Sequence, residues 1–212
     1  MSLPAPDQLR ARILEKFPQA QVDLLPNDAP NSQPSLILGE GAFEVAKFLR
    51  DDPELHLDFC SNVTGIDYLD AVLKEKVKVK KVVDGVEKEV EEVIEKKRAG
   101  FLEAVYHLYS MSLKHGPVVI RMRTPDRGAH SQLPSLTPLW RSAEFQEREI
   151  FDLYGIVFTG HPDLRRILMW DGYKDFPMRK DYAEPDDYEY EPTPHDDVLA
   201  KAKTHYPQGA PA

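Results

Sequence analysis

The stretch that decides the fold is residues 101–123, FLEAVYHLYSMSLKHGPVVIRMR. Residues suited to β-strands run from Phe101 to Ser110 and again from Pro117 to Arg123, and their side chains alternate between two faces. The sequence Lys114-His115-Gly116 between the two runs suits a turn. The stretch therefore predicts two strands joined by a turn, with His107 as a half-buried residue of the sheet rather than a metal ligand.

Short helices and strands precede this pair. Helical periodicity covers residues 7–17 and the stretch from Gly39-Glu40-Gly41 to Asp51-Asp52-Pro53. Three short runs have the composition of strands: Gln21–Leu25, Ser35–Leu38 and Leu55–Phe59. Together these elements predict an α+β fold in which helices pack on a mixed β-sheet.

A third helix is predicted from Pro138 to about Leu153. Thr137 suits the position before the first helical residue, and Gly155 suits the position after the last. The helix also carries a ladder of alternating charge, Glu144, Arg148 and Asp152. Each exposed step of such a ladder contributes only a few tenths of a kcal/mol, so helix stability does not account for these charges.

Residues 74–98 form a charged, hairpin-like insertion. Asp84-Gly85 is a preferred hairpin turn, and pairing about it sets Lys80 opposite Glu89 and Lys78 opposite Glu91. Each pair of opposite charges across a strand ladder contributes roughly 0.2–1 kcal/mol. The alternative is that residues 87–98 form a charged helix. In either case the segment is mostly polar and is expected to project into solvent or onto a partner.

Composition argues against several classes of protein. The net charge is −9, and residues 184–197 contain seven acidic residues but no Lys or Arg, so nucleic acid is a poor partner. No apolar run approaches the ~20 residues that a membrane span needs, and the N-terminus lacks the basic start and apolar block of a secretory signal. The single cysteine, Cys60, lies in an apolar stretch and is predicted to be a buried, inert thiol.

Residues 159–212 differ in character from residues 1–158, which we interpret as one scaffold domain. Prolines punctuate this C-terminal segment, yet aromatic residues persist as far as Tyr190, whereas disordered tails are usually poor in aromatics. Tyr, Trp and Arg anchor protein interfaces. The segment is therefore predicted to be a long irregular extension that binds a partner, with an acidic, disordered end after Tyr190. A flexible C-terminus with no partner is the alternative.

The sequence contains no phosphate-binding loop, no dinucleotide fingerprint, no His-Glu-x-x-His motif and no Gly-x-Ser-x-Gly motif. Five residues could be combined into a site for a divalent cation: Glu147, Glu149, Asp152, His161 and Asp163. However, Arg148, Arg165 and Arg166 lie among them and favour Arg–carboxylate pairs. We therefore predict that the chain has no metal site, no cofactor site and no catalytic residue.

Residues 147–168, EREIFDLYGIVFTGHPDLRRIL, closely resemble the signature of the 30 kDa-type hydrophilic subunit family of respiratory complex I, also called the C subunit family. The resemblance continues through residues 177–182, PMRKDY, where Met178 stands for the leucine of the family's P-L-R-K-D-Y ending. It covers roughly residues 35–182 and is strongest from residue 140 onward. Residues 74–98 look like an insertion relative to the family, and Asp175-Phe176 replace a frequent Gly-His.

This resemblance implies a scaffold subunit of the quinone-reducing arm of a proton-translocating NADH:quinone oxidoreductase. In such a complex FMN, Fe–S clusters and the NADH and quinone sites belong to other subunits. The implied partners are the large quinone-site subunit and the adjacent Fe–S subunits. The implied location is peripheral, on the cytoplasmic side of the bacterial inner membrane. The alternative is the equivalent subunit of a related membrane-bound hydrogenase or ferredoxin-linked complex.

The partner interface is expected to lie on the third helix and the extension that follows it. Charged side chains there would fix the register through charge-assisted hydrogen bonds. The apolar side chains that would supply buried area are Ile150, Leu153, Tyr154, Ile156, Phe158, Leu164, Ile167 and Leu168. The residues predicted to form this interface are Glu147, Arg148, Asp152, Tyr154, His161, Asp163, Arg165, Arg166, Arg179, Lys180 and Tyr182. The alternative is that these charges close the junction between the helix and the loop within the chain itself.

Overall fold

The computed structural model describes residues 3–26, 33–83, 86–128 and 131–183. Its elements, in chain order, are α1 (Pro6–Lys16), β1 (Val22–Leu25), β2 (Ser35–Leu38), α2 (Ala42–Asp51), β3 (Phe59–Tyr68), β4 (Ala71–Val83), β5 (Val86–Arg98), β6 (Phe101–Ser110), β7 (His115–Arg123), β8 (Gln132–Pro134), α3 (Glu144–Tyr154) and β9 (Val157–Thr159). A single 3₁₀ turn, Arg141–Ala143, precedes α3.

A five-stranded mixed sheet in the order β1-β2-β7-β6-β3 forms the centre of the fold. The strands β2 and β7 are parallel, and the other neighbours are antiparallel. The predicted strands of residues 101–123 are therefore two central strands of this sheet. Alternate side chains of β6 and β7 join one hydrophobic core with residues of all three helices, including Ile13, Leu49 and Ile150. This arrangement confirms the predicted α+β fold.

Side chains cover parts of both edge strands of the sheet. The Arg10 Nε donates a hydrogen bond to the Val22 carbonyl of β1 at 2.8 Å. The Val63 N–H of β3 donates to the Gln146 Oε1 of α3 at 2.7 Å. Because these backbone groups are already paired, another strand cannot add to the sheet at these positions.

Two sequence predictions near the sheet were wrong. The strand predicted at Leu55–Phe59 begins only at Phe59, because the Leu57 N–H bonds to the Leu49 carbonyl of α2 and holds the residues before it in a turn at 53–55. The third helix begins at Glu144 and not at Pro138. The Thr137 hydroxyl donates to the side chain of Glu147 instead of capping a helix. The predicted helix end at Gly155 is correct.

The charged insertion forms a two-stranded antiparallel sheet of β4 and β5. Its register sets Lys80 opposite Glu89 and Lys78 opposite Glu91, as the sequence predicts. The helical alternative for residues 87–98 is excluded because β5 covers them. The turn residues Asp84 and Gly85 lie outside the described residues.

The chain divides into two units, Met1–Tyr182 and Ala183–Ala212. Residues 160–182 belong to the first unit. The scaffold domain of residues 1–158 and the extension that follows it stay a prediction. The predicted disorder after Tyr190 lies outside the described residues. Within the described residues, no helix is long and apolar enough to cross a membrane.

Candidate functional site

Residues 160–182, which we call the strap, follow β9 and contain no helix or strand. Ordering the backbone of an irregular segment costs about 1–2 kcal/mol per residue. A segment of this kind therefore needs strong contacts to hold one conformation. In this chain the contacts come from buried carboxylates at two places, Asp152 near the end of α3 and Asp67 near the end of β3.

Asp152 holds the first half of the strap. Its side chain is fully buried, and its Oδ1 forms an ion pair with the Arg166 Nη1 at 2.6 Å. The same carboxylate accepts the N–H groups of Ile167, Leu168 and Met169 at 3.0, 2.7 and 2.8 Å. Burial opposes ionisation, but the Met169 N–H and the Arg166 guanidinium outweigh it, so the pKa of Asp152 lies below its ordinary value.

Arg166 is enclosed by aromatic rings of the strap. Its guanidinium carbon lies 5.5 Å from the ring centre of Tyr173 and 5.4 Å from that of Phe176. Arg179 lies 4.6 Å from the same Phe176 ring and donates to the Tyr154 carbonyl at 2.7 Å. Phe176, one of the two residues that depart from the family's frequent Gly-His, thus contacts two cations.

Gly155 provides the surface on which Phe176 packs. It has φ +78°, and a Cβ atom there would lie 2.6 Å from the Phe176 Cζ. A left-handed conformation costs a non-glycine residue roughly 1–2 kcal/mol. We expect Gly155→Ala to lower the free energy of unfolding by about 1–2 kcal/mol and to raise the rate of tryptic cleavage within the strap. Gly172→Ala is the control, because a Cβ there meets no atom closer than 3.5 Å, and an equal effect of both substitutions would contradict this account.

Arg127 clamps the second half of the strap. Its guanidinium donates to both oxygens of Asp67, at 2.6 and 2.8 Å, and to Asp181 at 2.7 Å. Asp67 also accepts the Lys180 N–H at 2.7 Å. Burial opposes ionisation of Asp67, but Arg127 and the Lys180 N–H lower its pKa. The hydrogen bond to Asp67, with that to Asp181, raises the pKa of Arg127.

Glu147 is fully buried and holds the loop before α3. It accepts hydrogen bonds from the Tyr106 hydroxyl at 3.0 Å, the Leu136 N–H at 2.8 Å and the hydroxyls of Ser135 and Thr137 at 2.5 and 3.0 Å. Burial raises the pKa of Glu147, and these donors only partly offset it. Glu147 therefore stabilises the fold of this chain.

Arg148 and His161 join α3 to the start of the strap. Arg148 is buried and donates to the carbonyls of Arg165 and Arg166 at 3.2 and 3.3 Å. The His161 Nδ1 accepts the Asp163 N–H at 3.1 Å, and its Nε2 lies 3.0 Å from the Glu144 carbonyl. With Nδ1 as the acceptor, Nε2 is the atom that can donate to the Glu144 carbonyl.

The predicted interface residues gather along the strap, but they differ in accessibility. Glu147, Arg148 and Asp152 are buried in contacts within the chain, and Tyr154, His161, Arg166, Arg179 and Tyr182 are half-buried. Only Asp163, Arg165 and Lys180 are exposed. Among the described residues, no three His, Cys, Asp or Glu side chains are grouped as metal ligands, the five considered from the sequence included.

The strap and α3 also expose large apolar side chains. Leu168 is 61% exposed, Phe145 60%, Met178 53% and Ile167 38%. Sequence reasoning treated Ile167 and Leu168 as interface candidates but missed Asp67 and Arg127. No local pattern marks these two, since they lie 60 residues apart and meet only in the folded chain.

Residues 37–188, which include α3 and the strap, match a sequence model of the family described as respiratory-chain NADH dehydrogenase, 30 Kd subunit. The chain belongs to this family. The resemblance seen in residues 147–182 is thereby confirmed. The Asp152 contacts and the Arg127 clamp both lie within the part of the chain that matches the 30 kDa subunit family.

Several relatives carry related names. The NADH-quinone oxidoreductase C subunit 2 of Rhizobium etli is 34% identical over 178 residues, which cover 84% of this chain and 77% of that protein. The NADH-quinone oxidoreductase C subunit of Roseiflexus castenholzii is 39% identical over 142 residues, which cover 67% of this chain but just 64% of that protein. Among solved structures, the trypsin-resistant fragment of Nqo5 aligns with a TM-score of 0.42 at 25% identity, covering 74% of this chain and 99% of the fragment.

Proposed function

We propose that this member of the 30 kDa subunit family is a non-catalytic scaffold of the quinone-reducing arm of a proton-translocating NADH:quinone oxidoreductase. Other subunits carry FMN, the Fe–S clusters and the NADH and quinone sites. Its partners are the large quinone-site subunit and the adjacent Fe–S subunits, and it is peripheral on the cytoplasmic side of the inner membrane. The family match and the names of the relatives support this proposal.

The observation that carries the proposal is the construction of the strap. Buried carboxylates fix its backbone from within, while Ile167, Leu168 and Met178 remain exposed. Apolar groups on a monomer surface gain free energy when a partner removes them from water, and clusters of such groups mark interaction sites. A strap that is already ordered loses less conformational entropy on binding than a flexible segment would.

Cys60 supports a role without electron transfer. Its side chain is fully buried, and burial raises the pKa of the thiol to about 12. Fe–S clusters are held by several Cys thiolates, whereas this chain has one cysteine.

Leu168→Asp tests the proposal directly. If the strap contacts a partner, the new carboxylate must be desolvated at the interface, and we expect binding to weaken by about 2 kcal/mol or more, roughly 30-fold. The measurement is co-purification of the other subunits with the full-length variant, together with NADH:quinone reductase activity of the membranes. The thermal stability of the isolated variant should not change, because Leu168 is exposed.

Met111→Asp is the matched control. Met111 is 63% exposed, close to the value for Leu168, but it lies in the turn between β6 and β7. We expect this variant to assemble and to support full activity. Normal assembly of the Leu168→Asp variant would overturn the proposed contact through the strap.

A further inference from the structure

A groove of about 240 Å³ lies between β3 and α3, beside the strap. Its lining comes from residues 62–65 of β3, from Met178 of the strap and from five residues of α3: Gln146, Glu149, Ile150, Leu153 and Tyr154. Sites for small molecules usually have volumes of about 300–1,000 Å³. The groove is smaller and suits one or two side chains of another protein.

Gly65 determines the shape of this groove. A Cβ atom at Gly65 would lie 2.7 Å from the Tyr154 ring and 3.2 Å from the Ile150 Cγ2. The missing side chain therefore lets α3 approach β3 closely, and Ile150 and Tyr154 supply apolar surface to the groove.

Glu149 is the charged residue of the lining. It is exposed, and within the described part of the chain its carboxylate forms no hydrogen bond or ion pair. The carboxylates of Glu147 and Asp152, on the same helix, each accept four hydrogen bonds. The Gln146 amide, also in the lining, accepts a hydrogen bond from the Val63 N–H and donates one to the Ser142 carbonyl.

We propose that this groove receives an apolar side chain of a partner subunit, and that Glu149 pairs with a Lys or Arg next to that side chain. An unpaired carboxylate beside the apolar surface of Leu153, Tyr154 and Met178 is complementary to a partner that carries both groups in sequence. Met178, which is 53% exposed, lines the groove and also belongs to the strap. The groove thus extends the interface of the proposed function, on which this inference rests.

Charge reversal at Glu149 tests the ionic half of the proposal. The full-length variants Glu149→Arg and Glu149→Gln replace this chain in cells, and co-purification of the other subunits with each variant is measured across a range of salt concentrations. We expect Glu149→Arg to weaken binding by about tenfold or more and Glu149→Gln by less, because like charges would then face each other. The difference between the variants should shrink as salt rises.

Glu15→Arg is the matched control, since Glu15 is an exposed glutamate of a different helix, α1. This variant should bind like the unmodified chain. Binding of Glu149→Arg at full strength while Leu168→Asp fails to bind would overturn the groove proposal and leave the proposed function standing. Full binding of both variants would overturn both.

Cross-linking tests which chemistry fills the groove. Cys60 is buried with a thiol pKa of about 12, so a cysteine introduced by Glu149→Cys can be labelled selectively with a photoreactive maleimide. After illumination of the assembled complex, we expect the label on a partner peptide in which a large apolar residue adjoins Lys or Arg. A label on an acidic or wholly polar peptide, or no cross-link to any other protein of the complex, would refute the proposal.

Discussion

Asp152→Ala should lower the free energy of unfolding by about 3–5 kcal/mol and release the first half of the strap. The substitution leaves the Arg166 guanidinium, whose side chain is only 12% exposed, without its carboxylate. It also removes the acceptor for the N–H groups of Ile167, Leu168 and Met169. Urea unfolding of the isolated chain at pH 7 measures the stability, and tryptic cleavage after Arg165 and Arg166 reports the release of the strap.

The control for this prediction is Glu54→Ala. Glu54 pairs with Arg12, but the two side chains are 61% and 33% exposed and Arg12 keeps its pair with Asp52, so the pair contributes at most about 1 kcal/mol. We expect the two variants to differ in stability and in protease sensitivity. A change below about 1 kcal/mol for Asp152→Ala, with a strap that still resists trypsin, would show that the carboxylate does not hold this segment.

The predictions that succeeded rest on local patterns. Alternation along residues 101–123 identified the central strands, and Asp84-Gly85 with its flanking charges gave the register of β4 and β5. Gly155 ends α3 because the conformation there is left-handed. In each case the residues that specify the structure lie within a few positions of the structure that they specify.

The predictions that failed depend on distant contacts. Most of β3 was not recognised, because a register shift between Cys60 and Asn62 breaks its alternation and because Gly65 and Asp67 are unusual in a strand. Thr137 has the composition of a helix cap, but the carboxylate of Glu147, ten residues later, takes its hydroxyl. Tertiary bonding thus overrode a correct local preference.

The candidate site shows the same division. The sequence identified the charged residues of α3 and the strap but could not separate those that face inward from those that face outward. Asp152 and Arg166 pair inside the chain, whereas Arg165, the neighbour of Arg166 in sequence, is exposed. The inner residues make the contacts within the chain that the alternative of a closed helix–loop junction expects, and the predicted interface stays a prediction.

Arg127→Met should also cost about 3–5 kcal/mol at pH 7, because it leaves the carboxylate of Asp67 buried without its cation. In the unmodified chain the pKa of Asp67 is lowered from 3.8, so its contribution to stability is present above that pH and is lost as the pH falls through the lowered value. In the variant, burial dominates and raises the pKa of Asp67. The deficit in stability should then be largest near neutral pH and should shrink towards about pH 4 as Asp67 takes up a proton.

The double substitution Arg127→Met with Asp67→Asn separates the charge from the packing. Removing both charges avoids an unpaired buried ion, so the double variant should recover much of the stability that Arg127→Met loses at pH 7 and should lose its pH dependence. Denaturant unfolding of all four proteins between pH 4 and pH 8 measures both effects. A double variant less stable than Arg127→Met would mean that Arg127 holds the strap through Asp181 and not through Asp67. A deficit that grows as the pH falls would contradict a stabilising pair between Arg127 and an ionised Asp67.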